Sequence, residues 1–242
     1  MLRKNTAALI AASLGFAAFA GADAVVTFDG FDAQGWEGPQ GFGGYTQIEE
    51  TGGNPGFNMH TVFNDFGITY VNSTNGDFIQ DLSGYDAVTF GVDLQVLKLD
   101  FFDIPTPRPW VLELRDYDID PNGYGWSSVW FEFTWIDAVT HADWTTFDVT
   151  IDDTNATDMP TGWGGYGDED PNTYEPKLPD GVTFGDIMAG YDEVVFTTYE
   201  PGFFFSSTDF DIRLDNFYIN AVPAPASLSL LGLGALVSRR RR

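Results

Sequence analysis

An all-β fold is what this 242-residue sequence predicts, and three features predict it. Apolar and polar residues alternate with period two through much of the chain, the pattern that gives a strand one buried and one solvated face. Gly, Asn, Asp and Pro cluster between the alternating runs, where turns need positive φ or a preset bend. No stretch of residues 25–222 carries the apolar spacing of a long helix. Many short strands between turn signals predict a single antiparallel β-sandwich, a jelly roll.

The elements can be placed in order. Strands are expected near 25–29, 44–50, 57–63 and 68–72. The clearest follows: Val88, Phe90, Val92, Leu94 and Val96 alternate with Thr89, Gly91, Asp93 and Gln95. Next come 110–117, then Val129, Phe131, Phe133 and Trp135 alternating with Trp130, Glu132 and Thr134, then Phe147, Val149 and Ile151. Phe184 to Met188 allows one helical turn, followed by strands near 192–199 and 210–219. In the last strand the parity slips: Phe210, Ile212 and Leu214 share a face, but Phe217 and Ile219 take over after Asp215-Asn216. A β-bulge at that dipeptide accounts for the slip. Two long loops, Asp116 to Ser127 and Asp152 to Asp186, exceed or approach the length at which loops are usually functional or disordered.

Both ends of the chain carry address-like segments. Arg3 and Lys4 precede an apolar core from Ala7 to Ala20, with small-residue sites at Ala18-Phe19-Ala20 and Ala22-Asp23-Ala24. This reads as a secretory signal helix, too short to span a bilayer, with cleavage expected after Ala24. At the other end Pro223-Ala224-Pro225 precedes an apolar run from Ala226 to Val237 and then Arg239, Arg240, Arg241 and Arg242. The twelve-residue run is short against the roughly 20 apolar residues of a spanning helix, so it reads as a short apolar helix that anchors transiently. The arginines should stay cytoplasmic. The domain plan is therefore 1–24 signal, 25–222 β-sandwich and 223–242 sorting segment.

The tail resembles the PEP-CTERM sorting signal of Gram-negative and related bacteria, with Ala224 where that signal has Glu. The resemblance implies export to the cell surface or extracellular matrix and recognition by an exosortase-type membrane protease. A loosely amphipathic helix with a basic end is the alternative reading of the same residues.

Charge narrows the partners. The whole chain has a formal charge of −25, and six of its eleven Lys and Arg lie in the two terminal segments. With Asp23 also outside it, the body keeps five basic and 35 acidic residues, a formal charge of −30. Nucleic acid and anionic membrane are poor partners for such a surface; divalent cations and neutral polymers are good ones. There is no cysteine, which excludes thiol chemistry and Cys-ligated zinc. Only His60 and His141 are present, against a histidine-rich metal site.

The order of short motifs within the body carries a second resemblance. Thr27-Phe28-Asp29-Gly30-Phe31 opens it, and Asp81-Leu82-Ser83-Gly84-Tyr85-Asp86 leads into the long central strand. Leu112-Glu113-Leu114-Arg115-Asp116, Asp143-Trp144-Thr145-Thr146-Phe147 and Ile212-Arg213-Leu214-Asp215-Asn216-Phe217 follow. The series is similar to the galactose-binding-like jelly rolls, a group that includes many carbohydrate-binding modules. Gly35-Trp36 and Gly53-Asn54-Pro55-Gly56 also resemble laminin B domains of the same architecture.

That resemblance implies a structural calcium ion tying the first strand to the last. The matching carboxylates are Asp29 and Asp215, with Asp32 and Asp211 as helpers, since Ca²⁺ takes six to eight oxygen ligands. The other reading pairs Asp211 and Asp215 with Arg213 across the outward face. The series Asp116, Asp118, Asp120, Asn122, Gly123 has calcium-loop spacing, but position twelve is Ser127 where an EF-hand has a bidentate Glu. A solvated hairpin turn is the preferred reading there.

Glycan binding needs exposed rings for sugar C–H faces and a few polar groups for hydroxyls. Tyr124, Trp126, Trp130, Trp163 and Tyr166 sit in or beside the long loops and are the expected ligand-binding residues. Against this, loop aromatics often only pin their own loop. No Gly-x-Ser-x-Gly, His-Glu-x-x-His or phosphate loop occurs, and nothing in the sequence sets two carboxylates about 5–9 Å apart across a cleft. The expectation is a non-catalytic, exported protein that binds glycan or belongs to an extracellular polysaccharide matrix. The alternatives are a structural matrix protein without ligand and, more distantly, a glycan-cleaving enzyme.

Overall fold

The computed structural model describes residues 23–224. In chain order these form β1 (Asp23–Val26), β2 (Trp36–Glu37), β3 (Gly44–Gly53), β4 (Gly56–Asp65), β5 (Thr69–Asn72), β6 (Tyr85–Phe101), β7 (Ile104–Pro105) and β8 (Arg108–Asp116). They continue with β9 (Ser127–Ile136), β10 (Thr145–Ile151), β11 (Trp163–Tyr166), β12 (Asp168–Glu169), β13 (Pro176–Lys177), α1 (Phe184–Gly190), β14 (Glu193–Thr197) and β15 (Thr208–Pro223). Two antiparallel sheets make the sandwich. Sheet A runs β10-β6-β15-β4-β3, with β1 on β15 and β7 on β6; sheet B runs β11-β9-β8-β14-β5-β2.

Alternation dictates the core. Val88, Phe90, Val92, Leu94 and Val96 of β6 are fully buried on one face, and Phe210, Ile212 and Leu214 join them from β15. Leu112 and Leu114 of β8 and Val194 and Phe196 of β14 meet them from sheet B. Trp36 closes one end of this core, stacked on Phe217 with ring centroids 4.0 Å apart and edge-on to Phe78 at 5.4 Å. Burying whole aliphatic and aromatic side chains is worth roughly 1.5–3 kcal/mol each, so the facing rows hold the two sheets together.

The bulge read from the parity slip is present. Pairing between β15 and β6 jumps from Asp215↔Asp93 to Tyr218↔Gly91, and Asn216 takes the left-handed conformation at φ 49°. Just past the bulge the Tyr218 ring covers Gly91, and a methyl there would fall 2.3 Å from Tyr218 Cζ.

Three local expectations change. The first strand spans Asp23–Val26, so it begins before the expected cleavage point, and Asp29 lies in a 3-10 turn rather than in the strand. The single helical turn is a seven-residue helix closed by a Thr183/Asp186 capping box. The region 152–186 is not one long loop. It contains β11, which pairs with β9 and forms the edge of sheet B. Its Gly164-Gly165 pair looks like loop sequence, but the indole of Trp130 fills the space a side chain would need, with Cε2 2.2 Å from where a methyl on Gly164 would sit.

The signal segment up to residue 22, and Pro225 and the four arginines of the sorting segment, lie outside the described residues. Pro223 ends β15, and Ala224 N–H donates to Gly84 O at 3.2 Å. Among the described residues no helix is long and apolar enough to cross a membrane.

Candidate functional site

Strand parity decides which side chains leave sheet B on its outer face. Leu112 and Leu114 point inward, so Val111, Glu113 and Arg115 point outward; Ser128 and Trp130 flank them from β9, and Val195 and Glu193 from β14. Here the surface is a recess of about 310 Å³, lined by Thr69, Glu113, Arg115, Trp126 and Tyr166 together with Tyr199 to Phe203.

Its polar centre is Glu113, only 2% exposed. Glu113 Oε2 accepts from Arg115 Nε at 2.9 Å and Nη2 at 2.7 Å. Oε1 accepts from Ser128 Oγ at 2.6 Å and Trp126 Nε1 at 3.1 Å. A buried carboxylate is tolerated only when paired and hydrogen-bonded in this way. Burial works against the charge on Arg115, but the attraction and hydrogen bonds of Glu113 outweigh it and hold the guanidinium above its usual range. Arg115 also reaches Glu193 at 3.5 Å, and Tyr117 donates its hydroxyl to Glu193 at 2.9 Å.

The rings are built around this pair. The Arg115 guanidinium lies 4.7 Å from the Trp126 ring centroid, a cation–π contact. Trp126 is 5.5 Å from Tyr166, and Tyr124 is edge-on to Tyr166 at 5.7 Å. Three of the five expected ring residues therefore come together. Trp130 points to the same face one strand along, where its Nε1 donates to Gly165 O at 3.4 Å. Trp163 departs from the expectation. It turns inward, 5.2 Å from Phe184 and 5.6 Å from Phe131, and packs against the core. Parity along β11 explains this, since Trp163 and Tyr166 are three residues apart and so face opposite sides of the strand.

The sequence reading overlooked Glu113 and Arg115 as site residues, although their alternation with Leu112 and Leu114 already set them on an outer face. It also passed over Tyr199 to Ser207. Tyr199 N–H donates to Thr197 Oγ1 at 3.1 Å, and a methyl on Gly202 would lie 3.1 Å from Pro176 Cγ. Arg108 Nη2 donates to Ser206 O at 2.7 Å and stacks on Phe205 at 5.1 Å. Tyr199 to Phe203 line the recess beside the outward-facing Glu113 and Arg115, so this part of the segment lies against the outer face of sheet B. Within this part, burial raises the Glu200 carboxyl above its usual range, and the charge of Glu132 adds to the effect.

The four expected metal ligands separate. Asp211 accepts from His60 Nε2 at 2.7 Å, far along β15 from the bulge. Asp32 is exposed and accepts from Gln34 N–H at 2.9 Å. Asp215 is fully buried and accepts from the backbone N–H groups of Asn54 at 2.6 Å and Asn216 at 2.7 Å. Burial pushes its carboxyl up to about 6 against those hydrogen bonds, with Asp93 and Asp29 adding repulsion. Asp29 is thus near enough to repel Asp215. Among the described residues, however, no three His, Cys, Asp or Glu side chains are grouped closely enough to hold a metal ion. Asp116 in the second acidic series accepts from the N–H groups of Asp118 at 2.8 Å and Ile119 at 3.0 Å, the geometry of an Asx turn.

The molecule so defined is a β-sandwich with an aromatic, carboxylate-floored recess on one outer face. No family model and no curated protein matches the sequence. Among solved structures it is similar to the family 11 carbohydrate-binding module from Clostridium thermocellum in complex with a β-1,3-1,4-mixed-linked tetrasaccharide (14% identity, 84% of this chain and 96% of that one, TM-score 0.45). It is also similar to the C-terminal family 22 carbohydrate-binding module of a Clostridium thermocellum xylanase (12% identity, 83% and 94%, TM-score 0.40). A third is an exo-β-agarase (12% identity, 84% of this chain, TM-score 0.46), of whose length the match spans only 26%. At these TM-scores the likeness is one of general chain course and transfers no residue roles.

Proposed function

We propose that this is an exported, non-catalytic glycan-binding protein that attaches to, or forms part of, an extracellular polysaccharide matrix, and that the recess on sheet B holds the glycan. The observation that supports this is the meeting of Trp126, Tyr166 and Tyr124 around the Glu113–Arg115 pair. Sugar C–H faces stack on such rings, and fixed charged groups beside them hold hydroxyls. Export and sorting rest on the two terminal segments of the sequence.

The second reading is a structural matrix protein without ligand. It is favoured by the way the rings pack on one another and by Trp126 Nε1 being already committed to Glu113. The two separate experimentally. Purified residues 21–224 are passed through affinity gels of mixed-linkage β-glucan, xylan and agarose. Retardation on at least one, reduced ten-fold or more by Trp126→Ala or Tyr166→Ala, is expected. Free passage through all three would leave the structural reading. Release of reducing sugar from a retained polymer would replace the non-catalytic assignment with an enzymatic one.

A further inference from the structure

The segment from Tyr199 to Ser207 changes what the recess can accept. It leaves β14 beside β5, turns at Glu200–Phe203 with Phe203 N–H donating to Glu200 O at 3.0 Å, and reaches Pro176 of β13 through Gly202. Because β13 lies beside β11, the edge strand on the far side of sheet B, this strap spans the sheet from the β14 side to that edge. It then returns to the start of β15, held by Arg108 on Ser206 and by Phe205 between Arg108 and Trp135, the latter at 5.9 Å.

Burial shows the consequence. Val111 and Val195 have outward parity and stand apart from the core cluster, yet both are fully buried. The face of sheet B is therefore roofed over its middle. The recess survives on the side of Arg115, Trp126 and Tyr166, with Tyr199 to Phe203 as its back wall. At about 310 Å³ it sits at the small end of ligand sites, about 300–1,000 Å³.

We propose that the recess is blind, and that it binds the terminal sugars of a neutral glycan chain rather than a run of sugars in the middle of one. The proposal rests on the glycan-binding reading above and adds the part of the chain that is recognised. A polymer bound along its length needs a trough open at both ends. Here the strap would collide with a chain continuing past Glu113 toward Val111. A chain end meets no such obstacle: its last rings stack on Trp126 and Tyr166, and its terminal hydroxyls meet the Arg115 guanidinium and the strap. Neutral sugars are specified because Glu113 and Glu200 both border the recess, with Glu193 paired to Arg115 behind them, and anionic sugars would bring like charge against them.

Stoichiometry tests this directly. Oligosaccharides of two to eight sugars from mixed-linkage β-glucan, xylan and agarose, and the parent polymers, are titrated into the protein by calorimetry. End recognition gives one protein per chain at every length and an affinity that stops rising beyond the shortest oligosaccharides. Several proteins per polymer chain, in proportion to its length, would overturn it while leaving glycan binding intact. No heat with any chain would instead overturn glycan binding itself. A second variant, with Pro201–Phe204 replaced by Gly-Ser-Gly-Ser, reopens the trough. It is expected to bind polymer at several proteins per chain. Unchanged stoichiometry in this variant, with an unchanged melt showing that it folds, would overturn the role of the strap.

Discussion

The two outer faces of this sandwich use similar residues to opposite ends. On sheet A charged groups satisfy one another in short, local sets. His60 lies between Glu49 at 2.8 Å and Asp211 at 2.7 Å, Arg213 approaches Glu49 at 3.6 Å, and Lys98 lies 3.3 Å from Asp209 and 3.5 Å from Asp100. Asp93 takes hydrogen bonds from Thr146 at 2.5 Å, Asn216 at 2.7 Å and Asn54 at 3.0 Å. On sheet B one carboxylate and one guanidinium are sunk beneath a ring of aromatics, with a strap above. Sheet A shows how a chain of such negative charge stabilises a surface. Sheet B keeps large rings half-buried beside an open volume, which a surface built for stability alone does not need.

The sharpest way to break this comparison uses two tryptophans of the same loop-rich region. Trp163→Ala removes an indole packed on Phe184 and Phe131 and should cost about 2–4 kcal/mol of stability, with glycan retention at low temperature little changed. Trp126→Ala should do the reverse, keeping most of the melting temperature and losing retention. Thermal melts and affinity gels on both variants read this out. If both variants lose only stability, the aromatic cluster is a pin for its own loop and sheet B has no special role.

This pair also shows what the sequence could and could not convey. The sandwich, most of its strands and the bulge at Asp215-Asn216 were legible because alternation and its slip are local properties of the chain. Trp126, Tyr124 and Tyr166 were legible as candidates from residue type and loop context. Trp163 was not separable from them, because its inward direction depends on β11 being a strand. Of the glycines that disguise β11, Gly164 makes room for Trp130, more than thirty residues earlier, and Gly165 for Leu178. The strap was illegible for a related reason: Pro201-Gly202-Phe203-Phe204-Phe205 has no periodicity, and only tertiary placement shows that it crosses a sheet.

The next effect in size concerns the buried end of sheet A. Asp215 and Asp93 are both nearly inaccessible, and like charges so placed invite a cation. We propose that calcium binds there by drawing Asp29 toward Asp215. A bound ion at about 100 times its dissociation constant adds roughly 2.7 kcal/mol, which for a domain of this size corresponds to a shift of about 5–10 °C in melting temperature. Melts in EDTA and in millimolar CaCl₂ should differ by that amount, and Asp215→Ala should remove the difference. Coincident melts for the unmodified protein would mean that the backbone N–H groups of Asn54 and Asn216 hold Asp215 without an ion. The contrast between the faces would then sharpen, with sheet A wholly self-satisfied.

The smallest effect tests that self-satisfaction at its centre. Burial opposes ionisation of Glu49, but hydrogen bonds from His60 and Gln47 and the nearby charge of Arg213 outweigh it, and its carboxyl sits below the ordinary 4.5. A depressed carboxyl means that the unfolded chain takes up protons first as the pH falls. The stability this set contributes is therefore complete above the ordinary value and disappears as the pH drops through the lower, folded value. His60→Gln removes the imidazole from between Glu49 and Asp211 and should cost about 0.5–1.5 kcal/mol near neutrality. Melts of the variant and the unmodified protein from pH 7 to pH 3 should lie apart at pH 5 and above and converge below it. A constant gap at every pH would show that the imidazole contributes packing alone, and that the carboxylates of sheet A are held by something other than the local pairing described.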